Sequence, residues 1–225
     1  MSTRTAFLVI LILILGATLS GLILWERLPQ QMASHWNAAN EVDGYTSRFW
    51  GVFLMPLISL GLAVLFFVIP QIDPLRENIQ HFRRIFNGFI VSIIAFLLYL
   101  HILSLVYNLG IRFAMSRLLL PAMAVLIFLA GELLRRAKRN WFIGIRTPWT
   151  LSDERVWAET HRLGSLLFKA AAGLILLSAF LPAGAFPLAL GAVLLAALVP
   201  LGYSYWLYER YRRQDLAVQG KEENR

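Results

Sequence analysis

Cysteine is absent from the 225 residues, which excludes disulfides, thiolate metal ligands and thiol catalysis. Charge is also scarce. Only 15% of residues are charged, against about a quarter in an ordinary soluble domain, and acids are rarer than bases, 13 against 21. A phosphate-binding glycine loop, a nucleophile elbow, a zinc-type HExxH pair and paired intramembrane acids of protease type are all missing, which argues against an enzyme. No polar stretch is long enough to build a soluble domain. What fills the chain instead is apolar: 58% hydrophobic residues and a mean hydropathy of +0.63.

Those residues fall into six runs, 6–24, 50–69, 85–109, 118–134, 163–181 and 186–206. A helix needs about 20 apolar residues, within roughly 17–25, to cross the hydrocarbon core. The pattern predicts an all-α integral membrane protein with six transmembrane helices and both termini cytoplasmic. Run four carries one acid, Glu132, near its end, and run five carries Lys169. A turn at 182–185 would close runs five and six into a tight hairpin. The first run is longer than the roughly 7–15-residue core of a signal peptide, and no small-x-small site precedes Trp25-Glu26-Arg27, so it reads as a retained helix.

Lysine and arginine set the orientation. With the N-terminus inside, the inner segments hold sixteen: Arg4; Arg76, Arg83 and Arg84; Arg135, Arg136, Lys138, Arg139, Arg146, Arg155 and Arg162; and Arg210, Arg212, Arg213, Lys221 and Arg225. The outer segments hold four, Arg27, Arg48, Arg112 and Arg117. This distribution also explains the net charge of +8. Bases spread over juxtamembrane loops suit anionic lipid, and no nucleic-acid motif surrounds them, so the expected partner is the bilayer, with no direct nucleic-acid contact. The chain divides into a four-helix part, 1–134, with an extracytoplasmic loop at 26–49; a second part, 135–208, with a cytoplasmic loop at 135–162 and a two-helix hairpin; and a polar tail, 209–225, expected to be solvated and frayed.

Two loops hold most of the information. The outer one, LPQQMASHWNAANEVDGYTSR (28–48), is dense in turn formers and flanked by aromatics suited to the headgroup region, which predicts a compact cap or short hairpin. The inner one, RRAKRNWFIGIRTPWTLSDERVWAETHR (135–162), has Gly144 for a bend and Pro148 to hold Thr147 extended. Ser152 reads as the cap of a helix that starts before the membrane and aligns Trp157, His161 and Phe168 along one side. Trp141, Phe142, Ile143, Ile145 and Trp149 make 140–152 too apolar to dangle, so it is expected to pack on the bundle.

The segment NWFIGIRTPWTLSDERVWAETHRLG (140–164) resembles the signature of the SdpI family of bacterial membrane proteins, and LPQQMASHWNAANEVDG resembles the domain of unknown function that often precedes it. Ala33 stands where a proline is common and Asn40 where a glycine is common; Asn tolerates the left-handed region, which keeps the turn. The resemblance implies a multi-pass protein of the bacterial cytoplasmic membrane, immunity to a secreted toxic peptide and, for some members, signalling to a cytoplasmic repressor. It singles out Gly144, Arg146, Thr147, Pro148, Trp149, Trp157 and His161 in the inner loop, and Pro29, His35, Asn37, Asp43 and Gly44 in the outer one. A small transporter and a membrane enzyme of unassigned role are the alternatives. Single prolines at unmatched positions (Pro56, Pro121, Pro200) and no inverted repeat count against the first.

The polar candidates each carry two readings. His35, Asn37, Glu41 and Asp43 suggest a metal site, but their spacing is wrong for a calcium loop, and turn and capping contacts are favoured. His161 lacks a second His at zinc spacing. Neither a metal nor another cofactor is therefore expected. His101, near Asn87, Tyr99 and Asn108, is read as a neutral His bonded to a neighbouring helix, with a proton relay as the other reading. Arg146 fits either a partner contact or one more inner-side charge. Glu132 and Lys169 lie at comparable depth on consecutive antiparallel helices, so pairing is expected to compete with separate snorkelling.

Overall fold

In the computed structural model, which describes residues 1–181 and 186–223, helices dominate. α1 (Thr3–Leu24) ends in a single 3-10 turn. A hairpin of β1 (Gln31–Trp36) and β2 (Val42–Ser47) follows, then α2 (Arg48–Ile72), α3 (Arg76–Asn108), α4 (Met115–Arg136), the short α5 (Pro148–Ser152), α6 (Glu154–Ser178) and α7 (Phe186–Glu223). Six of these, all but α5, are long and apolar enough to cross a membrane. A helix meets its backbone hydrogen-bonding needs internally, which a segment in lipid must do. Outward-facing side chains such as Ile12, Ile23, Leu65 and Leu195 are apolar and exposed, as a lipid-facing surface requires. The expected turn at 182–185 lies outside the described residues.

α3 is central to the first half. Ile79, Phe82, Phe86, Ile90, Ile94 and Leu98 recur every three or four residues and are buried, forming the stripe that α1 and α2 pack against. α4 leans on α3 and on α6, and α6 on α7. Ala171, Ala192 and Ala196 line the α6–α7 seam, where small side chains let two backbones approach closely. The bundle is thus two groups of three helices, α1–α2–α3 and α4–α6–α7, joined where α3 meets α4.

Three boundaries differ from the sequence reading. α3 begins at Arg76, well ahead of its apolar run. Ile79 and Phe82 already face the core there, while Arg84 and His81 face outward, so this first stretch is amphipathic rather than uniformly apolar. α6 is capped by Asp153, not Ser152: its side chain accepts from the backbone N–H groups of Arg155 and Val156, and Ser152 closes α5. The segment expected to fray continues α7 to Glu223. Two hydrogen bonds from Arg155 to the Asp215 carboxylate (3.1 and 2.6 Å) hold it to α6, and the guanidinium lies 4.7 Å from the Tyr211 ring centre.

Both described ends lie at one end of the bundle. The Met1 amino group donates to Arg84 O near the start of α3, and α7 meets α6 at Arg155–Asp215, beside the α4–α6 connection. The β-hairpin closes the opposite end.

Candidate functional site

The α4–α6 connection is a folded loop pinned from three sides. As α4 ends, the indole N–H of Trp157 donates to the Ala137 carbonyl (2.8 Å), satisfying one of the orphan acceptors of the helix terminus. Asn140, fully buried, knits the next turn: Oδ1 accepts from the N–H groups of Phe142 and Ile143 (3.0 and 2.6 Å), and Nδ2 donates to the carbonyls of Lys138 and Ile143 (2.8 and 2.9 Å). Those four bonds use the full capacity of the amide. Asp73, between α2 and α3 and 2% exposed, accepts from Trp141 N with one oxygen (2.9 Å) and from Leu75 N with the other (2.6 Å). Asn78 Nδ2 adds a bond to Arg139 O (2.8 Å).

Beyond that turn the loop lies on α6. Gly144 has φ +114, and a Cβ there would sit 2.4 Å from His161 Nε2; only glycine meets both conditions. The next N–H, of Ile145, donates to His161 Nε2 (3.0 Å). Because Nε2 accepts, the ring is neutral with its proton on Nδ1, which donates to Trp157 O (2.8 Å). The Trp157 and His161 rings stack at 4.0 Å and 18°. Ile145 presses its side chain onto Gly164, where a Cβ would meet it at 2.5 Å.

Thr147 opens α5 through a capping box with Thr150, with Pro148 in the first turn, where a missing N–H costs nothing. The Thr147 hydroxyl also bonds Ser204 Oγ on α7 (3.1 Å), and Trp149 tilts against Tyr205 at 5.0 Å. Arg146 stays exposed and bonds back to Trp141 O through Nη1 (2.8 Å). The outer face therefore presents Arg146, Trp141 (51% exposed) and Phe142 (37%), while the inner face is fully engaged. The hydrogen bonds from the Arg155 side chain hold the carboxyl of Asp153, the α6 cap, below the usual carboxylate range.

The hairpin at the other end is clamped as well. Asn37 Oδ1 accepts from Ala39 N and Glu41 N, and Asn40 turns the chain at φ 63. Asn40 does more than turn. Its Oδ1 accepts from Ser116 N (2.8 Å), capping α4 from outside, a role that glycine at this position could not fill. The Asn108 side chain, at the end of α3, pairs with Ala33 like a neighbouring strand, accepting from its N–H (2.8 Å) and donating to its carbonyl (3.0 Å). Trp36 meets Tyr107 edge-on at 5.0 Å, and Arg112 covers the same tyrosine ring at 4.3 Å. His35 and Asp43 hydrogen-bond in the open, Gly44 lies opposite His35 in the register, and the Pro29 carbonyl faces Arg48 Nε. Among the described residues, no three His, Asp or Glu side chains gather as a metal would require.

Within the bundle, His101 Nε2 donates to Ala17 O (3.3 Å), linking α3 to α1. Its sequence neighbours turn elsewhere: Asn87 to Met1 O and Thr3, Tyr99 to Leu118 O, Asn108 to the hairpin. They form separate interhelix ties, not a chain. Lys169 donates to the Glu132 carboxylate, joining α6 to α4, and its ammonium lies 5.7 Å from the Phe128 ring centre.

Asp73, Asn140, Asn108 and Ser204 hold these sites together, yet sequence reasoning named only Asn108, as a neighbour of His101 and not as a clamp on the hairpin. An Asp-Pro pair before a helix hints at the turn that Asp73 makes with Leu75 N, and Asn140 ahead of Gly144 hints at another side-chain-made turn. Nothing local marks the other two.

The fold and this loop define a multi-pass helical membrane protein in which a membrane-edge loop is a fixed part of the bundle. Residues 136–204 match the model of the SdpI/YfhL protein family, and residues 12–60 match a domain of unknown function (DUF1648). Over those segments the chain is similar to the SdpI/YfhL family, with the domain of unknown function ahead of it. It is 25% identical over 170 residues to the immunity protein SdpI of Bacillus subtilis (strain 168), which covers 76% of this chain and 79% of that protein. No solved structure matches the chain. The family segment runs from the end of α4 to Ser204, the residue that receives the Thr147 contact.

Proposed function

We propose that this is an immunity protein of the bacterial cytoplasmic membrane, protecting the bilayer against a secreted membrane-active peptide. In this reading the hairpin faces outward and the 135–162 loop and both ends face the cytoplasm, in line with the sixteen-to-four distribution of Lys and Arg. The loop would then offer the working surface on the inner side, where a cytoplasmic repressor could be engaged. The similarity to a protein named for immunity supports the activity. The observation that carries the choice of site is the loop itself: an immobilised inner face with Trp141, Phe142 and Arg146 left exposed. Aromatic residues and arginine are the side chains most enriched where proteins bind one another.

The test is deletion followed by challenge with peptides that depolarise membranes, with wild type, Arg146→Ala and Trp149→Ala returned at matched membrane levels. Deletion should sensitise the cell, wild type should restore protection, and the two variants should not. A deletion strain no more sensitive than its parent would overturn the immunity reading. Two variants that protect like wild type would remove the loop as the working site.

A further inference from the structure

Behind the motif loop, where α4 ends, lies a cavity of about 380 Å3. It sits at the lower end of the roughly 300–1,000 Å3 span of small-molecule sites. Its lining is heavily cationic: Arg135 and Arg136 from the last turn of α4, then Lys138 and Arg139 from the connection. One carboxylate, Glu154, stands at the rim and pairs with Arg139 at 3.5 Å. Among the described residues the other three cations make no ion pair. Arg139 is also incompletely used. Its Nη1 donates to Leu151 O (3.2 Å), while its Nε is buried with no protein partner. Buried donors are normally matched, so Arg139 has hydrogen-bonding capacity that the protein itself does not use.

Two ordinary explanations fall short. Cations at a helix C-terminus offset its dipole, but that dipole amounts to only about half a charge. Lys and Arg near an inner membrane face set topology, but topology needs them only nearby, not converging on one concavity. We propose that this cavity binds a phosphate-bearing anion, either the phosphate of an anionic lipid headgroup or that of a small soluble molecule. The excess of cations over carboxylates in this wall suits an anion, about −1.5 to −2 charges on a phosphate monoester and a single charge on a lipid phosphodiester, and the guanidinium fork matches phosphate oxygens two at a time. The side chains of Trp157 and Leu134 supply the apolar remainder of the wall. This site does not depend on the immunity reading, because it requires neither a toxin nor a particular orientation.

The experiment uses the full chain in a zwitterionic detergent and follows its thermal unfolding. Inorganic phosphate is titrated against sodium chloride at equal ionic strength, and dihexanoyl phosphatidylglycerol against dihexanoyl phosphatidylcholine. A saturable rise in Tm with phosphate alone identifies a soluble ligand; with phosphatidylglycerol alone, a headgroup; with both, a site that accepts phosphate from either source. In Arg136→Gln/Lys138→Gln, half-saturation should move at least about tenfold higher, the scale of one lost charge-assisted bond. Arg117→Gln, at the other end of α4, should leave it unchanged. Glu154→Gln keeps the test decisive if the double variant does not fold. Removing the competing carboxylate should lower half-saturation by roughly two- to fivefold, within the span of an exposed ion pair. No saturable rise in wild type, the same curve in the double variant, or weaker or unchanged binding in Glu154→Gln would each overturn the site.

Discussion

At Gly144, backbone and space make the same demand. The residue sits at φ +114, and any Cβ would collide with His161 Nε2. A strained backbone of this kind costs on the order of 1–3 kcal/mol for a residue with a side chain, before the clash is counted. Gly144→Ala should therefore lower Tm in detergent by several degrees, and adding His161→Ala should recover only the part due to the clash. A wild-type Tm for Gly144→Ala would show that the loop does not rest on His161. Asp153 makes a different prediction. Its carboxyl titrates below the ordinary range, so its stabilisation is complete above that range and is lost as pH falls through the lowered folded-state value. Between about pH 5 and 7 this cap should contribute no pH dependence to unfolding, while Asp153→Ala should cost about 1 kcal/mol throughout. An Asp153-dependent slope in that window would contradict the assignment. Gly144 and Pro148 were legible because each acts through its own backbone. Asn140 and Asp73 were not, because their work consists of bonds to N–H groups that only the fold brings near.

Among the elements, the six spanning helices were read directly from runs of apolar residues, and the hairpin from its turn formers. The overhangs were not. The first turns of α3 and the last turns of α7 alternate polar and apolar residues, and their helicity depends on partners: the core for Ile79 and Phe82, Arg155 for Asp215. Removing the second partner should release its element. In Arg155→Ala, amide exchange over 209–223 should accelerate while α6 and the rest of α7 stay protected; unchanged exchange would mean the extension is held by its own propensity. The Glu132–Lys169 tie between α4 and α6 calls for a mutant cycle. An unpaired charge at the helix centre costs roughly 2.5–3.5 kcal/mol on insertion scales, and less near the interface. Glu132→Gln and Lys169→Met should each reduce folded yield, and the double variant should regain part of the loss. Strictly additive losses would show that the pair contributes nothing as a pair.

The whole molecule places its two structured ends on opposite faces of the bundle, so one measurement of sidedness fixes both. A cytoplasmic reporter should be active when fused after Arg139, and a phosphatase reporter after Asn40; phosphatase activity at the first site alone would invert the protein. The hairpin end has a further consequence for how the chain is made. A lone two-stranded hairpin is marginally stable in water, and this one is held by Asn108 and by Ser116, 75 and 76 residues further along. At about 5–20 residues per second, a ribosome takes roughly 3–14 s to deliver them after the hairpin strands have been synthesised. For that interval the strands wait beside the first two helices without a clamp, and Asn40 can take hold of α4 only as that helix itself begins to enter the bilayer.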